Sequence, residues 1–149
     1  LIFGIPGVVL YRLSNTLDAM WGYKTPRFKN FGWCAARVDD CLNYIPARIT
    51  AISYGLMGNF KLAMHYMKQQ GFNWKSPNAG PVMAAGAGAL NVSLGGEARY
   101  HNVMQQRPVL GPQESDATEA NFNSITRACN LVNRTIVMWC VVIAGASLL

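Results

Sequence analysis

Two of the seven acidic side chains, Asp39 and Asp40, are adjacent, and Arg37 stands just before them. Adjacent carboxylates repel, so both ionise more readily with a cation between them. Mg2+ is usually held by one or two carboxylates together with the phosphates of a substrate. Upstream, Asn15 and Asp18 are three residues apart, which on a helix is one face, and Tyr23-Lys24 follows. Downstream, Arg48 comes two residues after Pro46. Pro suits the first turn of a helix. There the macrodipole disfavours a cation, but the free N–H groups favour an anion. Arg48 therefore reads as an anion contact. Ser76-Pro77-Asn78-Ala79-Gly80 is a turn entering another helix, with Asn78 as its cap and Gly80 leaving room for a phosphate against the backbone. Together these clusters point to Mg2+-nucleotide chemistry.

Other chemistries are excluded more simply. The chain has no Walker lysine loop, no G-x-G-x-x-G and no G-x-S-x-G. His65 and His101 are isolated, and read as structural or surface groups. Cys34, Cys41, Cys129 and Cys140 form no C-x-x-C pair, so reduced thiols are expected rather than zinc. The net charge is +6, but the 13 Lys and Arg residues are scattered, whereas a nucleic-acid binder clusters them. Only 13% of residues are charged and 51% are hydrophobic, against about 25% charged in a typical soluble domain. A membrane protein with polar loops is the class that fits.

The elements that must position these residues follow from periodicity. Residues 1–17 read as the end of a membrane segment passing into a helix, without a secretory leader. Residues 18–44 and 71–115 read as polar loops carrying the motifs. Ile49, Ile52, Leu56, Phe60, Ala63 and Met67 predict one helix over 46–70, about 36 Å long at 1.5 Å per residue. It carries Arg48, Asn59 and Lys61, and basic residues are balanced on its two sides, so an interfacial or re-entrant helix is expected rather than a span. Both flanking loops would then face the cytoplasm. Within the second loop region, Met83 to Leu90 is a helix of small residues, which normally marks close backbone approach. Gly86 is expected to face another backbone, and Gly95-Gly96 to end the helix. Asp116 and Glu119 have the spacing of a capping box. The helix behind them ends in the charge-free stretch 135–149, read as a truncated transmembrane helix. The fold expected is all-α: a single-domain, polytopic, helical membrane protein over 1–149, cut from the C-terminal part of a longer chain.

At these residues the sequence resembles the adenosylcobinamide-phosphate synthase (CbiB/CobD) family of cobalamin biosynthesis. The matching stretches are Asn15 to Lys24, Phe31 to Asp40, Asn43 to Arg48, Ser76 to Gly80 and Leu94-Gly95-Gly96. One departure is that Gly80 runs directly into Pro81, where family members usually have an intervening Trp. The resemblance implies a multi-pass enzyme of the inner membrane, with its active-site loops on the cytoplasmic side. Such an enzyme joins adenosylcobyric acid to aminopropanol or its phosphate, consuming ATP with Mg2+. By the chemistry such a reaction needs, Asp39 and Asp40 are assigned to Mg2+, and Arg37, Arg48 and Lys24 to phosphates. Asp18 would orient or deprotonate the amine, and Asn15, Tyr23, Ser76, Asn78 and Gly80 would bind substrate. The implied partners are the corrinoid, the aminopropanol phosphate and membrane lipid, with a homo-oligomer or other cobalamin-pathway enzymes compatible and nucleic acid not expected. A rival reading is a non-enzymatic membrane sensor of the same superfamily. It would keep the scaffold but lose the charged motifs, and Asp39-Asp40, Arg48 and Ser76-Pro77-Asn78 speak against it.

Overall fold

The structure, a computed structural model, describes residues 4–21, 29–100, 103–113 and 122–148. Tyr23, Lys24 and the Asp116–Glu119 capping pattern lie outside the described residues. The chain divides into two compact units, Leu1–Pro46 and Ala47–Leu149.

The first unit holds α1, Gly4–Trp21, and the first part of α2, Lys29–Met57. The expected polar loop over 18–44 is thus helical from Lys29 onward. Beyond Gly32 no Gly or Pro occurs until Pro46, and Ala35, Ala36, Arg37 and Leu42 are all good helix formers. Pro46 lies inside α2 rather than at a helix start, so Arg48 is not in a first turn.

The second unit is built on α3, Phe60–Gln70, and α4, Ala79–Leu90. The helix expected over 46–70 is therefore two helices. Gly58 and Asn59 break it: the Asn59 side chain accepts from the Leu62 N–H at 3.1 Å and caps α3, while its own N–H bonds the Ala89 carbonyl at 3.1 Å. A Cβ on Gly58 would lie 2.9 Å from that of Ala89, so only Gly fits this corner. α3 and α4 run antiparallel with backbones touching. A Cβ at Gly88 would meet the Leu62 carbonyl oxygen at 2.6 Å. The close approach expected at Gly86 is thus made by Gly88 instead, and Gly86 meets only the Tyr54 ring, at 3.6 Å. The core is correspondingly small: Ala51, Ala63, Ala85, Ala89 and Leu131.

α4 ends at Asn91, left-handed at φ 54, which does the work expected of Gly95-Gly96. Those glycines lie instead in β1, Leu94–Tyr100, which pairs antiparallel with β2, Val103–Leu110. Leu94 pairs with Leu110 and Gly96 with Arg107, with a register shift between them. Gly95 and Gly96 have φ of +103 and +78, which is the bulge chemistry of glycine. This hairpin departs from the all-α expectation, although the chain is otherwise helical. A polar clamp ties it to α3. The Gln70 side chain donates to the Gly111 carbonyl at 3.0 Å and accepts the Gly111 N–H at 2.6 Å.

α5, Phe122–Ser147, has 26 residues, about 39 Å at 1.5 Å per residue. Among the described residues it is the one helix long and apolar enough to cross a membrane, and only 11% of its most apolar window is buried. Ile136, Val137, Val141, Val142 and Ile143 are exposed. The apolar stretch expected from 135 is the continuation of a helix that starts at Phe122.

Candidate functional site

In the first unit, α1 and α2 face each other through long polar side chains. Tyr11 donates from its hydroxyl to Asn43 Oδ1 at 2.6 Å. One turn further along α1, Asn15 Nδ2 reaches Asp39 Oδ1 at 3.5 Å, one turn back along α2. Two rungs of opposite sequence sense make the pair antiparallel. Asn43 also donates to the Asp39 carbonyl at 3.0 Å, which orients it for Tyr11. Asp18 continues the α1 face three residues beyond Asn15. Its carboxyl is held above the ordinary 3.8, first by partial burial and then by the negative charges of Asp39 and Asp40. Three carboxylates therefore share one neighbourhood.

Arg37 does not join them directly. It is two residues before Asp39, roughly 200° around the helix, and its guanidinium lies 5.8 Å from the centre of the Trp33 ring. Asp39 and Asp40 themselves diverge by roughly 100°. Among the described residues no three His, Cys, Asp or Glu side chains converge on a self-contained metal site. The donor set fits a cation brought in with phosphates, which needs only one or two protein carboxylates. Tyr11 is the member of this ladder that the sequence reading missed. Its signal was present: Tyr11, Asn15 and Asp18 are spaced i, i+4, i+7, one face of a helix.

In the second unit, Arg48 on α2 donates from Nη1 to Asn78 Oδ1 at 2.8 Å, and its guanidinium lies 5.9 Å from the centre of the Phe72 ring. Asn78, only 8% exposed, does not cap α4 with its side chain. Ser76 does that work. Its hydroxyl accepts the N–H groups of Asn78 at 3.3 Å and Ala79 at 3.2 Å, and its carbonyl accepts that of Gly80 at 3.3 Å. The amides expected to cradle a phosphate are thus used internally. Gly80 permits a close approach, but of the Gly71 carbonyl and the Trp74 side chain. Ser76 and Gly80 shape the turn, and Asn78 Oδ1 orients Arg48.

A polar ladder between helices, with one apolar helix of membrane-crossing length among the described residues, defines the class as a helical protein with a membrane-crossing candidate. The chain belongs to the CobD/CbiB family: the family described as CobD/Cbib protein matches residues 1–132. It is 54% identical over its whole length to a cobalamin biosynthesis protein CobD of Chromobacterium violaceum, covering 46% of that protein. To the protein of the same name from Stutzerimonas stutzeri it is 53% identical over 96% of this chain and 46% of that protein. To that of Mycobacterium tuberculosis it is 42% identical over 98% of this chain and 45% of that protein. The chain thus spans just under half the length of these relatives. No solved structure matches.

Proposed function

We propose that this chain is part of a membrane-bound, ATP-dependent amide ligase of cobalamin biosynthesis. The reaction joins adenosylcobyric acid to aminopropanol, or its phosphate, to give adenosylcobinamide or its phosphate. The relatives' names supply the pathway, and the resemblance supplies the reaction. The observation that carries the chemistry is the antiparallel pairing of α1 and α2, which joins Asn15 to Asp39 and exposes Asp18 to the charges of Asp39 and Asp40, in a chain with only seven acidic residues.

A carboxylate does not condense with an amine in neutral water, so it must be activated. Its oxygen attacks the γ-phosphorus of ATP, ADP leaves, and an acyl phosphate forms. The amine nitrogen then attacks the acyl carbon, inorganic phosphate leaves, and the amine gives up a proton. The transferring phosphoryl group demands cations. Asp39 and Asp40 are assigned to Mg2+, which would supply charge neutralisation on the phosphates. Arg48, oriented by Asn78, is assigned to a phosphate, as are Arg37 and Lys24. Asp18 suits the amine, because a carboxyl raised by partial burial and by the charges of Asp39 and Asp40 is the better proton acceptor. Asn15 holds Asp39 in place, and Tyr23 is kept as a substrate contact by resemblance alone. The setting proposed is the inner membrane, multi-pass in the whole protein, with these residues on the cytoplasmic side where ATP is.

The test is amide formation from adenosylcobyric acid by purified full-length protein, with and without ATP and Mg2+. ATP-dependent product with equimolar ADP is expected. Product formed without ATP, or none under any condition while the protein binds corrinoid, would overturn the ligase reading in favour of the sensor.

A further inference from the structure

We propose that the second unit carries an anion subsite for a phosphate group, separate from Arg48 and formed by Arg127, Asn130 and Arg134. These three residues are spaced i, i+3 and i+7 on α5, one helical face. They line a polar recess of about 240 Å3 with Gly58, Ala89 and Leu90. That is several times the roughly 30 Å3 share of one water, so a phosphate group with some hydration fits. The charged groups that line it are both arginines.

Capping does not account for both of them. The last carbonyls of α4 are already satisfied. Ala87 accepts from Val92, Gly88 from Asn91, and Ala89 from Asn59. Leu90 accepts from Arg127 Nη2 at 2.6 Å. That last bond uses one of five guanidinium donors and fixes Arg127 at the recess. Arg134 has no hydrogen-bond or ion-pair partner among the described residues. Both guanidinium groups border the recess, so an anion there meets two charged donors. Arg134 is also the last charged residue of α5 before the uncharged run that ends the chain. The recess therefore sits where an apolar helix meets water, a depth at which both a lipid headgroup and a soluble phosphate ester can reach it. Arginine is the side chain best matched to either, through paired N–H donors.

The test uses full-length protein in two settings. In non-ionic detergent, thermal unfolding is followed against inorganic pyrophosphate at constant ionic strength. In nanodiscs, phosphatidylglycerol is compared with phosphatidylcholine. A rise in Tm is expected with at least one phosphate carrier, with half-saturation shifted about tenfold in R134Q, the effect of losing one charge-assisted contact. R134K should recover part of it. N130D, an exposed substitution that puts a carboxylate in the recess, should abolish it without unfolding the protein. The comparison is made in an R37Q/R48Q background, which weakens the phosphate contacts proposed for the reaction; the response should persist there, which separates this subsite from that site. A response to pyrophosphate assigns a soluble phosphate, and one confined to phosphatidylglycerol assigns the headgroup. No response to either, or equal responses in wild type, R134Q and N130D, overturns the proposal.

Discussion

Arg48 and Asn78 are thirty residues apart in sequence and joined by a 2.8 Å hydrogen bond from guanidinium to side-chain carbonyl. Arg48 is mid-helix on α2, and Asn78 opens α4. The bond sets the direction of a cation that also rests near the Phe72 ring. Stacking and a planar fork are properties lysine lacks. Arg48→Lys is therefore expected to lower kcat for amide formation, and Arg48→Ala to lower it by about a hundredfold, the usual loss for one group aimed at developing charge. Asn78→Ala should give a smaller loss of the same kind. Unchanged turnover in Arg48→Ala would remove Arg48 from the phosphate role.

Gly88 and Gly86 differ by half a turn on α4, and that difference decides their tolerance. A Cβ at Gly88 meets backbone at 2.6 Å, whereas at Gly86 it meets ring carbons at 3.6 Å. Gly86→Ala should be neutral or stabilising by up to about 1 kcal/mol, the helix-propensity gain. Gly88→Ala should destabilise by about 1–3 kcal/mol, the usual overpacking cost. Thermal unfolding in detergent measures both, and the reverse order would contradict the α3–α4 packing.

The small-residue composition made close packing of α4 legible, but not which glycine serves it. Composition reports that backbones touch, while the contact depends on the crossing geometry of α3, which was itself hidden. One apolar periodicity runs through Ile49 to Met67, and the break at Gly58-Asn59 leaves it nearly intact. The same limit hid the carboxylate ladder. Residues 18–44 read as loop because Trp21-Gly22, Pro26 and scattered charges fall within them, and a loop reading conceals the i, i+4 relation between Asp39 and Asn43. Once that stretch is helix, the ladder follows from spacing alone. The hairpin was missed because Gly95-Gly96 carries the same signal for a helix stop as for a bulge.

Asp18 gives a pH-dependent prediction with a definite sign. Its carboxyl is raised above 3.8 in the folded chain by partial burial, Asp39 and Asp40. Between 3.8 and the raised value the folded chain binds more protons than the unfolded one. Stability therefore falls as pH rises through that window and stays at its lower level above it. Asp18→Asn should raise Tm at pH 7 and leave it unchanged below about pH 3.8. If Asp39 and Asp40 hold Mg2+, millimolar Mg2+ should stabilise wild type at pH 7 and narrow its gap to the variant. A gap insensitive to pH would show that Asp18 does not feel its neighbours.

Gln70 holds Gly111 through both of its amide groups, as a neighbouring strand would. Gln70→Glu keeps the acceptor and replaces the donor with an oxygen facing the Gly111 carbonyl. Leaving such a group unsatisfied costs about 1–3 kcal/mol. The expected result is faster hydrogen exchange at Gly111 and earlier proteolysis within 94–110, with α3 and α4 still protected. Equal protection in variant and wild type would show that Leu110 and Pro112, both fully buried, suffice to anchor the hairpin.

Two native cysteines test whether α5 crosses a membrane. Cys129 and Cys140 are both exposed, so packing shields neither. They are eleven residues apart, about 16 Å along a helix, which is half the roughly 30 Å hydrocarbon thickness. Cys129 lies between Arg127 and Arg134, at the polar end of α5. Cys140 lies six residues beyond Arg134, within the uncharged run. A charged thiol reagent requires water. With Cys34 and Cys41 replaced by Ser, Cys129 in intact membranes should react quickly. Cys140 should be at least about a hundredfold slower, because a thiolate and a charged reagent are both expensive to bring into hydrocarbon. Dissolving the protein in denaturing detergent should equalise the two. Comparable rates in the membrane would mean that α5 borders water along its length. Its exposed Val141, Val142 and Ile143 would then need a protein partner rather than lipid.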